Sequence, residues 1–337
     1  MERRTILYFA PLEGITNNTY RNTHHDCYAG VDAYFTPFLS PNQHNAINPK
    51  EKKDILPENN KGVPIIPQVL TNKAEYLLRA AKELKNVYGY EEVNLNLGCP
   101  SKTVVSKSKG SGFLRDLDAL KRFFDEVFGI IEAADASASD TDRVYPRISV
   151  KTRLGLENPE EFAPILEIYN QYPLSELIIH PRVQKEFYKN TPHLDAFAEA
   201  VKVSRHSLCY NGDVNTLQDY LRIREMFPTV EKIMMGRGLL SNPSLAEEIR
   251  AYEECLARGG EWTGYQVSKE RMKKYHNLLY DRYVERVSGD TNVLFKMKEF
   301  WVFLGAQFPE EEKLLKKIKK ASRLDEYERL VGELFGR

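Results

Sequence analysis

From residue 5 to residue 235 the chain repeats a two-part pattern. A short run rich in β-branched and aromatic residues comes first, and a segment with apolar positions at helical spacing follows. The β-rich runs fall at residues 5–10, 33–37, 64–70, 92–97, 147–152, 176–180, 207–210 and 232–235. Between them, residues 73–87 place Leu77, Ala80, Ala81 and Leu84 on one helical face, and residues 117–131 do the same with Leu120, Phe123, Phe124 and Val127. Asn158-Pro159-Glu160-Glu161 carries the signature of a helix start: a capping side chain, a proline at the first position and an acidic first turn. Eight strands alternating with helices predict a (β/α)8 TIM barrel. A doubly wound open sheet shares the alternation. Two features favour the barrel. Polar, Gly-rich and Pro-rich clusters follow the strands (APLEG, QVLTN, GCPSK, KTRLG, HPR, NGD, GRG), at the end where barrels place their active sites. No GxGxxG turn follows the first strand.

The small polar stretch 136–142 predicts a surface loop before the fifth strand. After residue 257 the strand pattern stops. RGGEWTG (258–264) reads as a linker, and helical patterns follow at 268–286, 293–304, 309–322 and 324–335. The expected organisation is a catalytic barrel over 1–257 and a small helical bundle over 258–337.

Composition narrows the class. Lys plus Arg and Asp plus Glu are 48 each, so the surface is not uniformly basic, although a local basic groove remains open. Residues 262–337 hold sixteen basic and twelve acidic side chains, a net charge of +4. The apolar N-terminal run is too short for a signal-peptide core, and no window suits a membrane helix. Cys27, Cys99, Cys209 and Cys255 form no CxxC pair and no zinc spacing. They read as reduced thiols of a cytoplasmic protein without metal.

The chemistry concentrates after the strands. Asn211-Gly212-Asp213 and Gly236-Arg237-Gly238 close the seventh and eighth runs, where barrels often hold phosphate. Either turn alone is more often an ordinary tight turn; together, with Arg237, they point to an anion. Lys151 and Arg153 share a face at the end of the fifth strand, where a lysine meets an anion or an electron-rich ring unless it simply ends in solvent. His180 and Gln68 end the sixth and third strands, as packed polar residues or as ligands. Cys99 stands between Gly98 and Pro100. Proline ends the strand and Gly98 permits a sharp turn, so the thiol is expected at the barrel mouth, as acid, base or nucleophile. A lone cysteine is otherwise a small hydrophobe. Lys102, Lys107, Lys109 and Arg115 follow without a carboxylate before Asp116.

APLEGIT, PQVL, NLNLGCPSK, SVKTRLG, IIHPR, YNGDV and MMGRGLLSNP, in this order, resemble the FMN-dependent tRNA-dihydrouridine synthases from about Tyr8 to about Pro243. The helical remainder is similar to that family's tRNA-binding domain in size and type only. The resemblance implies FMN, reduced by NADPH, and tRNA as partner; a monomer is the separate expectation. It implies Cys99 as general acid. It implies Pro11, Leu12, Gln68, Lys151, His180, Asn211, Gly212, Asp213, Gly236 and Arg237 around FMN, and Asn96 and Tyr188 beside the uracil. Arg153 is expected at the substrate, with Lys102, Lys107, Lys109 and Arg182 toward RNA phosphate. KKIKK (316–320) is the basic end of a helix that begins with three glutamates, which suits the helix dipole as well as RNA. Departures from the family pattern are Asn94, YNGD and HPR, which bear on the subfamily. A flavin barrel acting on a free pyrimidine, as in dihydroorotate dehydrogenases, and a non-catalytic RNA-binding barrel are the alternative readings.

Overall fold

The structure, a computed structural model, describes residues 4–137 and 143–336. All eight expected runs are strands: β1 (Ile6–Phe9), β2 (Ala33–Leu39), β3 (Ile65–Val69), β4 (Glu92–Leu97), β5 (Arg147–Arg153), β6 (Leu177–His180), β7 (Leu208–Tyr210) and β8 (Lys232–Met235). They pair in parallel and in chain order, and β8 closes on β1 from Ile6↔Lys232 to Phe9↔Met235. The doubly wound alternative is thereby excluded.

Strand β2 runs two residues past its expected end, through Pro37. The ladder to β3 shifts register between Phe35 and Phe38, and that irregularity lets proline sit inside a strand. The stretch 136–142 lies mostly outside the described residues; Ala136 ends a helix.

The helices on the barrel are α1 (Asn18–Cys27), α2 (Ala74–Asn86), α3 (Lys102–Val105), α4 (Leu117–Ala136), α5 (Phe162–Tyr169), α6 (Leu194–Val203), α7 (Leu217–Met226), α8 (Arg237–Ser241) and α9 (Leu245–Ala257). Strand alternation sorts the side chains into two cores. Leu7, Phe9, Val93, Leu95, Val150, Ile179 and Ile233 face outward and pack with the helices. Tyr8, Ala10, Phe35, Ile178, Cys209 and Met234 fill the barrel interior. At the lower end, buried Glu176 accepts from the Tyr8 hydroxyl at 3.2 Å and pairs with Lys232. At the upper end the inward positions turn polar: Gln68, Asn94, Asn96, Ser149, Lys151, Arg153, His180 and Asn211. That change of polarity along one face of the strands creates the site.

Four further helices follow: α10 (Lys269–Arg286), α11 (Asp290–Leu304), α12 (Glu312–Lys320) and α13 (Leu324–Gly336). They enclose Trp301, His276 and Tyr327, all buried. Their apolar core is continuous with that of the barrel. Helix α10 lies on α1, where Arg271 donates to the Cys27 carbonyl and Arg282 to Thr23 Oγ1 at 2.9 Å and to Asp26 at 2.6 Å. Helix α11 meets the loop after β1 through a hydrogen bond from Lys296 to the Gly14 carbonyl.

Candidate active site

A relay of side-chain amides links the neighbouring strands β3, β4 and β5 beneath the mouth. Asn94 donates to Ser149 Oγ at 3.0 Å and accepts from Gln68 Nε2 at 2.8 Å. Gln68 Oε1 accepts from Asn96 Nδ2 at 2.7 Å. Asn96 Oδ1 then accepts the backbone N–H groups of Gly98 and Cys99, at 3.0 and 2.9 Å. Successive strands therefore fix the cysteine turn through neutral hydrogen bonds, with none of these amides left unpaired. The turn itself differs from expectation. Gly98 is not left-handed; the left-handed glycine is Gly110, at φ 56°. A Cβ on Gly110 would lie 2.8 Å from the Cys99 carbonyl oxygen, which also accepts from Ser111 N and Oγ at 3.1 and 2.8 Å. Asn96 thus shapes the turn from below, and the Gly110–Ser111 segment holds it from the side.

Cys99 is partly exposed on the cavity wall. Burial pushes its thiol pKa up, and Glu13 adds to the rise; the Ser101 N–H, Arg153 and Lys151 oppose it. Lys151 Nζ has no hydrogen bond or ion pair among the described residues, and desolvation, with Arg153 beside it, brings its pKa down to about 8. A cation held without a counter-ion in a polar cavity is prepared for an anionic or electron-rich ligand. His180 Nε2 lies 3.0 Å from Arg182 Nη1, which can only donate. The imidazole is therefore neutral and carries its proton on Nδ1. Burial and the surrounding arginines and Lys151 push its pKa well down, consistent with that state.

One expected contact is corrected. Arg182 is 0% exposed and does not face RNA. Its guanidinium bonds the carbonyls of Lys189 and Asn190, at 3.0 and 2.6 Å, and both carboxylate oxygens of Asp213. Such an ion pair is too well satisfied inside the protein to reach a phosphate outside it. Arg153 is also buried, although it lines the cavity. It donates to the carbonyls of Gly98, Val183 and Phe187, at 3.0, 3.0 and 2.6 Å. It ties the β4 loop to the β6 loop from its place on the cavity wall. Asp213 also accepts from Arg237 at 2.6 Å. Burial raises its carboxyl pKa, but the two guanidiniums hold it below the ordinary value.

Tyr188 is 52% exposed. The Arg237 guanidinium lies 4.9 Å, and that of Arg153 5.5 Å, from its ring centroid. Phe187 and Asn190, at φ 53° and 60°, flank this segment in the left-handed region that most side chains avoid. Glu186 holds it in place by accepting from Val183 N, Asn190 Nδ2 and His193 Nε2, at 2.9, 3.0 and 3.0 Å.

A cavity of about 510 Å³ opens at the mouth. Pro11, Leu12, Gln68, Asn96, Cys99, Lys151, Arg153, His180, Tyr188 and Arg237 all line it, as expected residues brought together from the ends of six strands and the loops that follow them. Asn211, Gly212, Asp213 and Gly236 line a recess of about 60 Å³ beside Tyr188. A Cβ on Gly212 would collide with the Tyr210 hydroxyl, so only glycine leaves the backbone this close. Lys102, Lys107 and Lys109 stand outside the cavity, on the loop after β4. Lys109 is partly buried, and burial, with Lys107 and Lys73 nearby, lowers its pKa.

Sequence reasoning missed Glu13, Pro37, Phe38, Phe187 and Phe303 on the cavity wall. Glu13 sits inside a motif already singled out; its carboxyl is pushed up to about 7 by desolvation and by Asp54 and Glu51, against Lys296. Phe303 belongs to α11, and no local pattern tells which barrel loop a C-terminal helix will meet.

The family model described as dihydrouridine synthase matches residues 8–326. A tRNA-dihydrouridine(16) synthase of Pseudomonas putida is 27% identical over 335 residues, covering 96% of this chain and 95% of the relative. A probable tRNA-dihydrouridine synthase of Staphylococcus epidermidis is 28% identical over 254 residues, covering 73% and 72%. Among solved structures, a 2-naphthoyl-CoA reductase complex aligns with TM-score 0.53 at 10% identity, over 76% of this chain and 50% of that one. Histamine dehydrogenase from Rhizobium sp. 4-9 aligns with TM-score 0.53 at 13% identity, over 73% and 45%. At such identities these structures share the fold alone.

Proposed function

The chain belongs to the dihydrouridine synthase family, and from that premise we propose that it reduces the C5–C6 double bond of a uridine in tRNA with FMN as resident cofactor and NADPH as reductant. The observation that carries this reading is the meeting, in one cavity, of a partly exposed thiol and a lysine with no partner among the described residues.

The residues present fit FMN. Lys151 has no counter-ion among the described residues, His180 offers an Nδ1–H, and the Gln68 amide lines the same wall. The Gly212 and Gly236 backbone and Arg237 line the adjoining recess, which suits the cofactor's phosphate. When bound, FMN supplies the hydride that adds to C6 of the uracil ring.

The chain's own groups supply the rest. Cys99 holds the proton that C5 receives. Its raised pKa keeps it an acid through neutral pH, as proton delivery requires. Lys151 stabilises negative charge on the electron-rich ring beside it. The Asn96 and Ser111 hydrogen bonds keep the thiol turn from drifting, so the sulfur is already oriented when the base arrives. A stacked uridine cannot reach the thiol, so the base is extruded into the cavity. Lys102, Lys107 and Lys109, on the exposed loop, are placed to meet backbone phosphate. We assign the barrel, residues 1–257, to chemistry, and the helices beyond residue 258 to holding the tRNA.

Mapping dihydrouridine by mass in tRNA from cells lacking the protein tests the activity. It begins at position 16, the position in the names of the two relatives aligned over 95% and 98% of their lengths. An unchanged dihydrouridine content at every position would defeat the reading. In vitro, Cys99→Ala should reduce turnover about 10²–10⁴-fold with flavin content unchanged. Wild-type turnover in that variant would remove Cys99 from the acid role.

A further inference from the structure

Helix α11 carries a ridge that the fold leaves uncovered. Its inner face, including Leu294, Met297, Trp301 and Leu304, is buried. Phe295 is 64% and Val302 61% exposed. They are seven residues apart, two turns along one face, so they form a single ridge. Phe303, the residue after Val302, lines the cavity that contains Cys99. Lys296, the residue after Phe295, bonds the Gly14 carbonyl, next to Glu13 on the same rim. The ridge is therefore a direct continuation of the active-site wall onto the outer surface. An exposed phenylalanine next to a binding cavity marks a contact surface.

Charge narrows what it contacts. On the cavity side the ridge is bordered by Glu13 and by Glu299, and the Lys296 ammonium, 3.8 Å from Glu299 and bonded to the Gly14 carbonyl, stands 5.9 Å from the Phe295 ring centroid. Lys296 is already engaged by the Gly14 carbonyl and Glu299, so what Phe295 offers a ligand is its ring face rather than a phosphate site. The lysine loop after β4 lies across the mouth, because β8 and β1, whose loops meet α11, are neighbours and β4 is distant from both in strand order. An RNA strand with one base in the cavity leaves a neighbouring nucleotide on each side. One side meets lysines; the other meets Phe295.

We propose that Phe295, with Val302 beside it, is a stacking platform for a nucleobase adjacent to the uridine that enters the cavity. The proposal rests on the tRNA reading above. Base–aromatic stacking tolerates any sequence, since every base has a π face, and it makes no demand on phosphate.

The test measures turnover and binding of an unmodified tRNA transcript by the flavin-loaded wild type and by Phe295→Ala, Phe295→Trp and Val302→Ala at several salt concentrations. Phe295→Ala should raise the KM for tRNA roughly 5- to 100-fold, with flavin content and melting temperature unchanged. Phe295→Trp should restore it, and Val302→Ala should have a smaller effect in the same direction. The dependence of binding on salt should keep its wild-type slope, because no phosphate contact is lost. A wild-type KM in Phe295→Ala overturns the platform, as does a loss that Phe295→Trp fails to rescue. A wild type that sediments as a dimer while Phe295→Ala sediments as a monomer makes the ridge a contact between copies and overturns it too. If the wild type itself does not reduce tRNA, the tRNA reading fails first; if it does and Phe295→Ala matches it, only the platform fails.

Discussion

At the scale of single residues, the site depends on polar groups with either a complete set of partners or none. Asn96, Gln68 and Asn94 are bonded to each other and to the cysteine turn, so they are fixed before any ligand arrives. Lys151 is the opposite case: buried enough to titrate near 8, with no partner among the described residues. Its cost follows from linkage. The unfolded chain keeps this proton up to about 10.5 and the folded chain only to about 8. Folding is therefore penalised in full below pH 8, and the penalty disappears as pH rises from 8 to 10.5. Replacing Lys151 by methionine should stabilise the flavin-free protein at pH 7 by about 1–2 kcal/mol, allowing for solvent in the cavity. The advantage should shrink across that window, and flavin affinity should fall. Thermal melts of the two proteins at pH 7 and pH 10 check this; a less stable variant at pH 7 would contradict it.

At the scale of elements, the strands place their ligand-facing polar groups at their upper ends, while the helices beyond the barrel organise themselves around one buried polar cluster. Trp301 Nε1 donates to the Tyr327 hydroxyl at 2.8 Å. That hydroxyl lies 2.6 Å from His276 Nε2, and His276 Nδ1 lies 2.9 Å from Asn277 Oδ1. Trp can only donate and the Asn277 oxygen can only accept, so the histidine is neutral with its proton on Nδ1 and Tyr327 donates to Nε2. Burial brings this imidazole down to about 4. Its contribution to stability is complete above pH 6.5 and declines as the pH falls toward 4, because the unfolded chain takes up the proton first. Tyr327→Phe would leave the Trp301 and His276 nitrogens buried without partners, at about 1–3 kcal/mol. The urea midpoint should fall accordingly, and an unchanged midpoint would show the cluster to be energetically neutral. The amphipathic spacing that located α11 and α13 gave no sign of this cluster, since the three residues come from three helices.

At the scale of the whole molecule, a chain of zero formal charge still groups three lysines where the proposed function needs them. Lys73, Lys107 and Lys109 gather on one side of the mouth. Removing Lys107 and Lys109 together should weaken tRNA binding and lower the slope of log affinity against log salt by about 1–2. An unchanged slope in a salt titration would move the phosphate contacts elsewhere. The strand order, the barrel and the clustering of Gln68, Cys99, Lys151, His180 and Arg237 at one end were legible in the linear chain, because alternation fixes the face of each strand residue and the polar clusters mark the ends of the strands. Arg182 was misjudged for a physical reason: an arginine in a loop reads as exposed until the carbonyls and carboxylates it meets from distant loops are known. Glu13, Phe303 and the Phe295 ridge depend on how α11 docks against the loop after β1, a contact between residues nearly 300 positions apart. By itself the sequence determined which residues face the barrel axis and which chemistry they carry, since those follow from local periodicity. Only the tertiary structure decided which of those groups are already satisfied, which stay open to a ligand, and what surface borders them, since those follow from packing between segments far apart in the chain.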